Sequence, residues 1–173
     1  MTELELIDAL AAKLEEIFEG ITIKGKDDVL RPVRVFKQYI PQGAGLTGVS
    51  GYADSDYESN FPCVIVKYLE HTDKEENRFD QSMTSIKLIY GVYDNEAECQ
   101  GYRDILNMID RTRLDLLHER TLAKRFMLAM PLKTRLLEAD TFPVYFGEMD
   151  LYYITGRPVM GRDFYTKEAI PNG

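Results

Sequence analysis

The sequence has few of the residues that usually carry chemistry or cross-links. Among 173 residues there are two cysteines, two histidines and no tryptophan. Cys63 and Cys99 are too few and too far apart for a disulfide framework or a cysteine-based zinc site. Cys63 lies in the apolar run 61–69, so we expect a buried, unreactive thiol, because free cysteine is among the most buried residue types.

Positive charge is also scarce. There are 21 lysines and arginines against 29 acidic residues, which gives a net charge of −8. Without a basic cluster, such a surface repels phosphates, which argues against gripping or reading nucleic acid. The first residues lack a basic region followed by an apolar one, and no apolar run approaches the roughly 20 residues of a membrane span. We therefore expect neither a signal peptide nor a membrane partner.

What is present is the pattern of one α+β (α/β) domain, residues 1–173. Apolar residues at helical spacing predict an N-terminal helix over 2–19, with Thr2 and Glu5 as its capping box and Gly20 as its stop. We predict a mixed or mainly antiparallel sheet with this helix and a second, central helix packed on it. The predicted strands are 21–24, 33–40, 61–69, 85–94, 126–137 and 141–155, and the second helix, Tyr102 to Leu117, is capped by Asn95 with Glu98.

Two segments lack any period. Residues 42–60 are rich in glycine, serine and aspartate and predict a long flexible loop. Tyr52 and Tyr57 in it either become ordered against a partner or pack back onto the domain. Residues 70–80 are polar and predict the connection of an extended hairpin, and residues 157–173, with Pro158 and Pro171, predict an extended C-terminal arm.

No pattern in the chain makes a convincing catalytic or cofactor site. Gly43 to Gly48 match G-x-G-x-x-G, but no helix follows to receive a pyrophosphate, so we expect no cofactor. His71 lies near Asp73 and Glu75, where a carboxylate–histidine pair or an adventitious metal contact is conceivable, but a solvated histidine is expected. Glu148 and Asp150 alternate with apolar residues, which is typical of a solvated strand face opposite a buried one.

Three segments carry a resemblance to a known family. These are Phe61-Pro-Cys-Val-Ile-Val, the helix that begins Tyr102-Arg-Asp-Ile-Leu-Asn-Met-Ile-Asp-Arg, and Pro143-Val-Tyr-Phe-Gly-Glu-Met. They resemble the tail terminator (tail-completion, minor tail) proteins of tailed bacteriophages. Many members have tryptophan before Phe-Gly-Glu, where this chain has Tyr145.

The resemblance implies a structural protein of the virion tail or neck, made in the bacterial cytoplasm, and not an enzyme. It implies a homo-oligomer, a six-membered ring that caps the tail tube, stops its polymerisation and offers a surface to the head–tail connector protein. The tail tube protein and the connector are the implied partners, and DNA passes without specific binding.

On that reading, candidate contacts and a candidate lumen can be assigned. The contacts with the tube or a neighbouring subunit are Tyr52, Tyr57, His71, Arg78, Arg157 and Phe164. An acidic lumen would be formed by Asp73, Glu75 and Glu76, whose negative potential keeps DNA from sticking. The alternatives are another neck protein, such as a head-closure component, or a small hydrolase using Glu148 or His71 with nearby carboxylates.

Overall fold

The computed structural model describes residues 3–26, 28–40, 57–76, 79–137 and 141–155, with backbone alone for 74–76 and 79–81. The predicted α+β fold is confirmed, with two helices on a mostly antiparallel, curled sheet, 29% helix and 46% strand. The elements are α1 (Glu3–Ile17), β1 (Thr22–Lys24), β2 (Leu30–Pro32), β3 (Arg34–Lys37), a 3-10 turn (Glu58–Asn60), β4 (Cys63–Glu76), β5 (Phe79–Tyr93), α2 (Gly101–His118), β6 (Thr121–Leu122), β7 (Phe126–Leu136) and β8 (Val144–Thr155).

The main sheet has six strands in the order β3-β4-β5-β8-β7-β6. Only the short β3 runs parallel to its neighbour, β4; the other pairs are antiparallel. β1 and β2 form a separate two-stranded ribbon. β8 therefore lies inside the sheet, between β5 and β7, although it comes last among the described elements.

Both helices pack on one face of this sheet and share a single core with it. The α1 stripe that the sequence predicts is buried, with Leu6, Leu10 and Leu14 all at 0% exposure. Burying each such side chain contributes about 1.5–3 kcal/mol. α2 approaches β8 very closely at Gly147, where an added Cβ would overlap Ile105 Cγ2 and lie 2.9 Å from Ile109 Cδ1.

The helix ends match the sequence in one case and depart from it in the other. Gly20 has a φ of +73°, the left-handed conformation that glycine adopts most easily after a helix, as predicted. The predicted cap of α2 at Asn95 and Glu98 is wrong, because α2 begins at Gly101 after Gln100 and has no side-chain cap. The capping box at Thr2 lies outside the described residues.

The sequence predicted the polar stretch 70–80 as the connection of the hairpin, but most of this stretch belongs to the strands β4 and β5. β4 and β5 stay paired up to Glu76 opposite Phe79, so the hairpin itself is extended as predicted but its connection is short. Antiparallel pairing uses the backbone, which polar side chains do not interrupt when both faces meet water. Among the described residues, β8 pairs with β5 from Ser82 to Tyr93.

Candidate functional site

The predicted contact and lumen residues are only partly within the described chain. Tyr57, His71 and Asp73 are described with their side chains. Glu75 and Glu76 are placed by backbone at the end of β4. Most of the predicted loop 42–60 and all of the predicted arm lie outside the described residues, as do Tyr52, Arg78, Arg157 and Phe164.

Tyr57 follows the second of the two alternatives, because it packs back onto the domain. Its ring meets the ring of Phe61 edge-on at 5.3 Å between centroids. The side chain remains 49% exposed. It is therefore anchored to the domain and still offers half of its surface to a partner.

His71 belongs to a series of side-chain hydrogen bonds at the base of the β4–β5 hairpin. Its Nδ1 lies 2.8 Å from Thr84 Oγ1, and its Nε2 lies 3.2 Å from Asp73 Oδ1. Ser82 donates a hydrogen bond to the same carboxylate oxygen. Glu3, at the start of α1, places an oxygen 3.6 Å from Nδ1. The carboxylate–histidine pair that the sequence made conceivable is thus present, in place of the solvated histidine that was expected, and the His71 side chain is 24% exposed.

This chain of groups has the connectivity of a catalytic triad but not its accessibility. A triad needs a nucleophile bonded to the histidine and open to substrate. Thr84, in the nucleophile's place, is 0% exposed, and the other hydroxyl, Ser82, bonds to the carboxylate instead of the histidine. The arrangement fits a clamp that joins β4, β5 and the start of α1. Among the described residues, no group of three or more His, Cys, Asp or Glu could hold a metal ion.

Glu148 lies near the middle of the sheet face that the helices leave open, and it is surrounded by cations. Its Oε2 accepts hydrogen bonds from Lys87 Nζ at 2.9 Å and from Arg135 Nε at 2.8 Å. Asp150, two residues on, lies 3.8 Å from Lys87 and 3.6 Å from Arg135. The predicted alternation of this face with the buried one is present, but the pair is less solvated than expected, since the Glu148 side chain is only 12% exposed and Asp150 18%.

The electrostatics of Glu148 do not suit an acid catalyst. Burial by itself would raise the pKa of Glu148, but the hydrogen bonds and charges of Lys87 and Arg135 outweigh it and lower the pKa below its ordinary value. A general acid at neutral pH needs the opposite shift. Sequence reasoning missed the two cations because only the register of β5, β8 and β7 brings them beside Glu148.

The three segments that carry the family resemblance meet at one end of the sheet. Phe61 is 1% exposed, lies over Gly91, and meets Phe146 edge-on at 5.8 Å between centroids. An added Cβ at Gly91 would lie 2.5 Å from Phe61 Cε1. α2 reaches the same end, where Gly101 leaves room for the ring of Tyr145. Phe61 and α2 therefore pack on β8 from opposite faces of the sheet.

Beside this junction is a groove of about 230 Å³, which we call the end groove. Tyr102 and Leu106 have the helical spacing of a buried face, but they are 41% and 42% exposed, because the buried face of α2 centres on Ile105 and Ile109. Across the groove, Leu137 is 39% and Phe142 53% exposed. The groove is lined by Tyr102, Leu136, Leu137, Thr141, Phe142, Tyr145 and Phe146.

Sequence reasoning did not find the end groove. The signal that could have revealed it is three aromatic residues within five positions, Phe142, Tyr145 and Phe146, at the start of a buried strand. In comparisons with known proteins, no protein-family model matches this chain, and neither does any curated protein. Neither helix among the described residues has the length and apolar character to cross a membrane.

Proposed function

We propose that this chain is a tail terminator of a tailed bacteriophage or prophage. It would be a structural protein that forms a ring on the tail tube, stops tube polymerisation and joins the tail to the head. A tube subunit presents a heterologous surface that adds further rings without closing. A terminator offers one side of that contact and replaces the other, so the tube length is fixed.

The observation that carries the proposal is the junction at the end of the sheet. The segments that carry the resemblance are distant in sequence, yet two of them contact the third, on β8: Phe61 meets Phe146 on one face, and Ile105 packs against Gly147 on the other. Their common contact with β8 supports reading the three segments together.

The long β4–β5 hairpin supports a role in assembly. Its base is fixed by the bonds that link His71, Asp73 and Ser82. Its strands stay paired with each other up to Glu76 opposite Phe79. A long hairpin held at the base can reach a neighbouring subunit or the tube, and this is the position proposed for Arg78.

The acidic lumen remains part of the proposal, with a refinement from the geometry. Asp73 accepts hydrogen bonds from two groups, so its neutralisation also loosens the hairpin base. Glu75→Gln with Glu76→Gln is the cleaner change. We expect rings to assemble as before and DNA to be retarded in transit, because the repulsion that prevents sticking is reduced. Unchanged DNA ejection from particles carrying the double variant would contradict the lumen assignment.

The deciding experiment is negative-stain electron microscopy of the purified protein, alone and with tail tubes. We expect sixfold rings, or caps at one end of each tube, and tubes of uniform length when the protein is present during polymerisation. Monomers that leave tube length unchanged would overturn the proposal. Deleting residues 43–56 should abolish capping and preserve folding; the deletion stops there because Tyr57 packs on Phe61.

The two alternatives make different predictions in the same assay. A head-closure component would bind connectors and leave tube length unaffected. A hydrolase acting through His71 or Glu148 would lose its function in His71→Ala or Glu148→Gln. Under the proposed function, Glu148→Gln still caps tubes, since the role of Glu148 is to hold β5, β7 and β8 together.

A further inference from the structure

The end groove is an apolar surface without an occupant among the described residues. Tyr102, Leu137 and Phe142 line it and are between 39% and 53% exposed. Exposed apolar residues scattered singly are normal, but a cluster of large ones commonly marks an interaction site. Two of these three residues are aromatic, a type that often anchors protein contacts.

Negative charge borders the groove on one side. The N–H of Asp94 donates to Pro143 O at 2.9 Å, which places Asp94 beside the turn that carries Phe142. Burial, and then the neighbouring charge of Asp94, raise the pKa of Asp104 on α2 above its ordinary value, although the charge of Arg103 opposes this. Two carboxylates that repel each other beside an apolar groove suit a ligand that brings both apolar and cationic side chains.

Residues 156–173 have this composition. They contain three basic residues, Arg157, Arg162 and Lys167, against two acidic ones, in a chain whose net charge is −8. Their apolar residues come in pairs, Val159 with Met160 and Phe164 with Tyr165. The segment thus offers aromatic side chains for the groove and arginines for the carboxylates.

The direction of β8 bears on which copy supplies the segment. β8 starts at Val144, beside the groove, and ends at Thr155, at the far end of the sheet. From Thr155 back to Tyr145 is about 33 Å along the strand, whereas the nine residues from Thr155 to Phe164 span at most about 30–32 Å. On the same chain, the segment would also have to reverse direction after Thr155, which leaves less than this length for the return to Tyr145. A neighbouring copy has no such limit.

We propose that the end groove binds residues 156–173 of a second copy of this chain. Phe164 and Tyr165 fill the apolar groove, and the arginines lie against Asp94 and Asp104. The contact is heterologous, because a groove at one end of the sheet receives a segment that leaves from the other, and such contacts close rings. Only the expected closure into a ring rests on the proposed function; the docking itself does not.

The test uses full-length protein with Phe164→Ser and Tyr165→Ser, which disables its own segment, and a fluorescein-labelled peptide of residues 156–173. Fluorescence anisotropy should show saturable binding. Adding Phe142→Ser to this full-length variant should weaken its affinity for the peptide about tenfold or more, as expected for loss of a buried aromatic anchor. Met127→Ser is the matched control, since Met127 is equally exposed, at 53%, but lies at the opposite end of β7.

Sedimentation velocity separates the possible donors of the segment. Wild type should associate in a concentration-dependent way, and both Phe142→Ser and the Phe164→Ser/Tyr165→Ser variant should remain monomeric. A monomeric wild type that also refuses the peptide would mean that the chain fills its own groove, which overturns the proposal. Peptide binding that Phe142→Ser and Met127→Ser affect equally, or no binding at all, would overturn it too.

The tube-capping assay keeps this inference distinct from the proposed function. Specific peptide binding in a protein that never caps tubes would support the docking and defeat the terminator assignment. Normal capping by the Phe164→Ser/Tyr165→Ser variant, with wild-type association, would leave the terminator assignment standing and defeat the docking.

Discussion

Arg135 and Glu148 lie directly opposite each other on β7 and β8, with Arg135 Nε 2.8 Å from the Glu148 carboxylate. Lys87 of β5 reaches the same oxygen from the other side. One carboxylate thus links three neighbouring strands on the sheet face that the helices leave open. This contact holds together strands whose other face is held by the core.

Glu148→Gln should lower the free energy of unfolding by about 1 kcal/mol at pH 7, since Asp150 remains to hold the two cations in part. The folded-state pKa of Glu148 lies below its ordinary value of 4.5. Its stabilisation is therefore complete above pH 4.5 and is lost as the pH falls through the lower, folded-state pKa. Urea unfolding of both proteins should give curves that differ at pH 7 and converge at acid pH. Glu15→Gln, on the exposed side of α1, is the control, and a difference that persists at acid pH would contradict the ion-pair origin.

Gly147→Ala should destabilise the protein by about 1–3 kcal/mol, because the new methyl group overlaps Ile105 and crowds Ile109. Chemical denaturation measures the loss. Ile105→Ala creates the missing space, so the double variant should be more stable than the sum of the two single changes predicts. Simple additivity would show that α2 does not approach β8 as closely as described.

Two buried tyrosines should respond oppositely to loss of their hydroxyl groups. The hydroxyl of Tyr153 has no hydrogen-bond partner among the described residues, whereas that of Tyr90 interacts with Thr112 and lies 3.8 Å from Met149 Sδ. Tyr153→Phe should therefore be neutral or stabilise by up to about 1 kcal/mol, and Tyr90→Phe should cost about 0.5–1.5 kcal/mol. Thermal unfolding of the pair checks this. A loss in Tyr153→Phe as large as in Tyr90→Phe would mean that the Tyr153 hydroxyl is satisfied.

The two cysteines should differ sharply in reactivity. Burial raises the pKa of Cys63 to about 12, in spite of the opposing charge of Arg34, and Cys99 is exposed. The thiolate is the reactive form, and at pH 7.5 it makes up less than about one part in 10⁴ of a thiol with such a pKa. Ellman's reagent should titrate one thiol in the native protein and two in urea. Cys99→Ser should leave no rapidly reacting thiol; a fast reaction in that variant would show that Cys63 is accessible.

Local patterns predicted most of the helices and strands, because the spacing of apolar residues and the residues that end an element act over short distances along the chain. The stripe of Leu6, Leu10 and Leu14 and the stop at Gly20 depend only on neighbours along the chain. The end of the β4–β5 hairpin was misjudged, because polar composition indicates exposure to water, not the lack of a partner strand. Likewise, Tyr102 and Leu106 have helical spacing. Which side of α2 is buried, however, depends on the close contact of Ile105 and Ile109 with Gly147 on β8.

The site residues were harder to predict than the elements. Lys87 and Arg135 are ordinary strand cations in the sequence, and only the pairing of β5, β8 and β7 makes them ligands of Glu148. The end groove requires α2 and the turn before β8 to be placed relative to each other. His71 with Asp73 was predictable because both lie on one strand, two residues apart, and so share a face.

The central position of β8 also governs when the protein can fold during synthesis. Until residue 155 has left the ribosome, β5 lacks a neighbour on one side and β7 has no sheet to join. The nascent chain would expose the free edge of β5 while residues 94 to 155 are still being made, a state prone to pairing with other chains. Chaperones that shield strand edges would therefore matter more to this protein's yield than to that of a fold completed from its N-terminus.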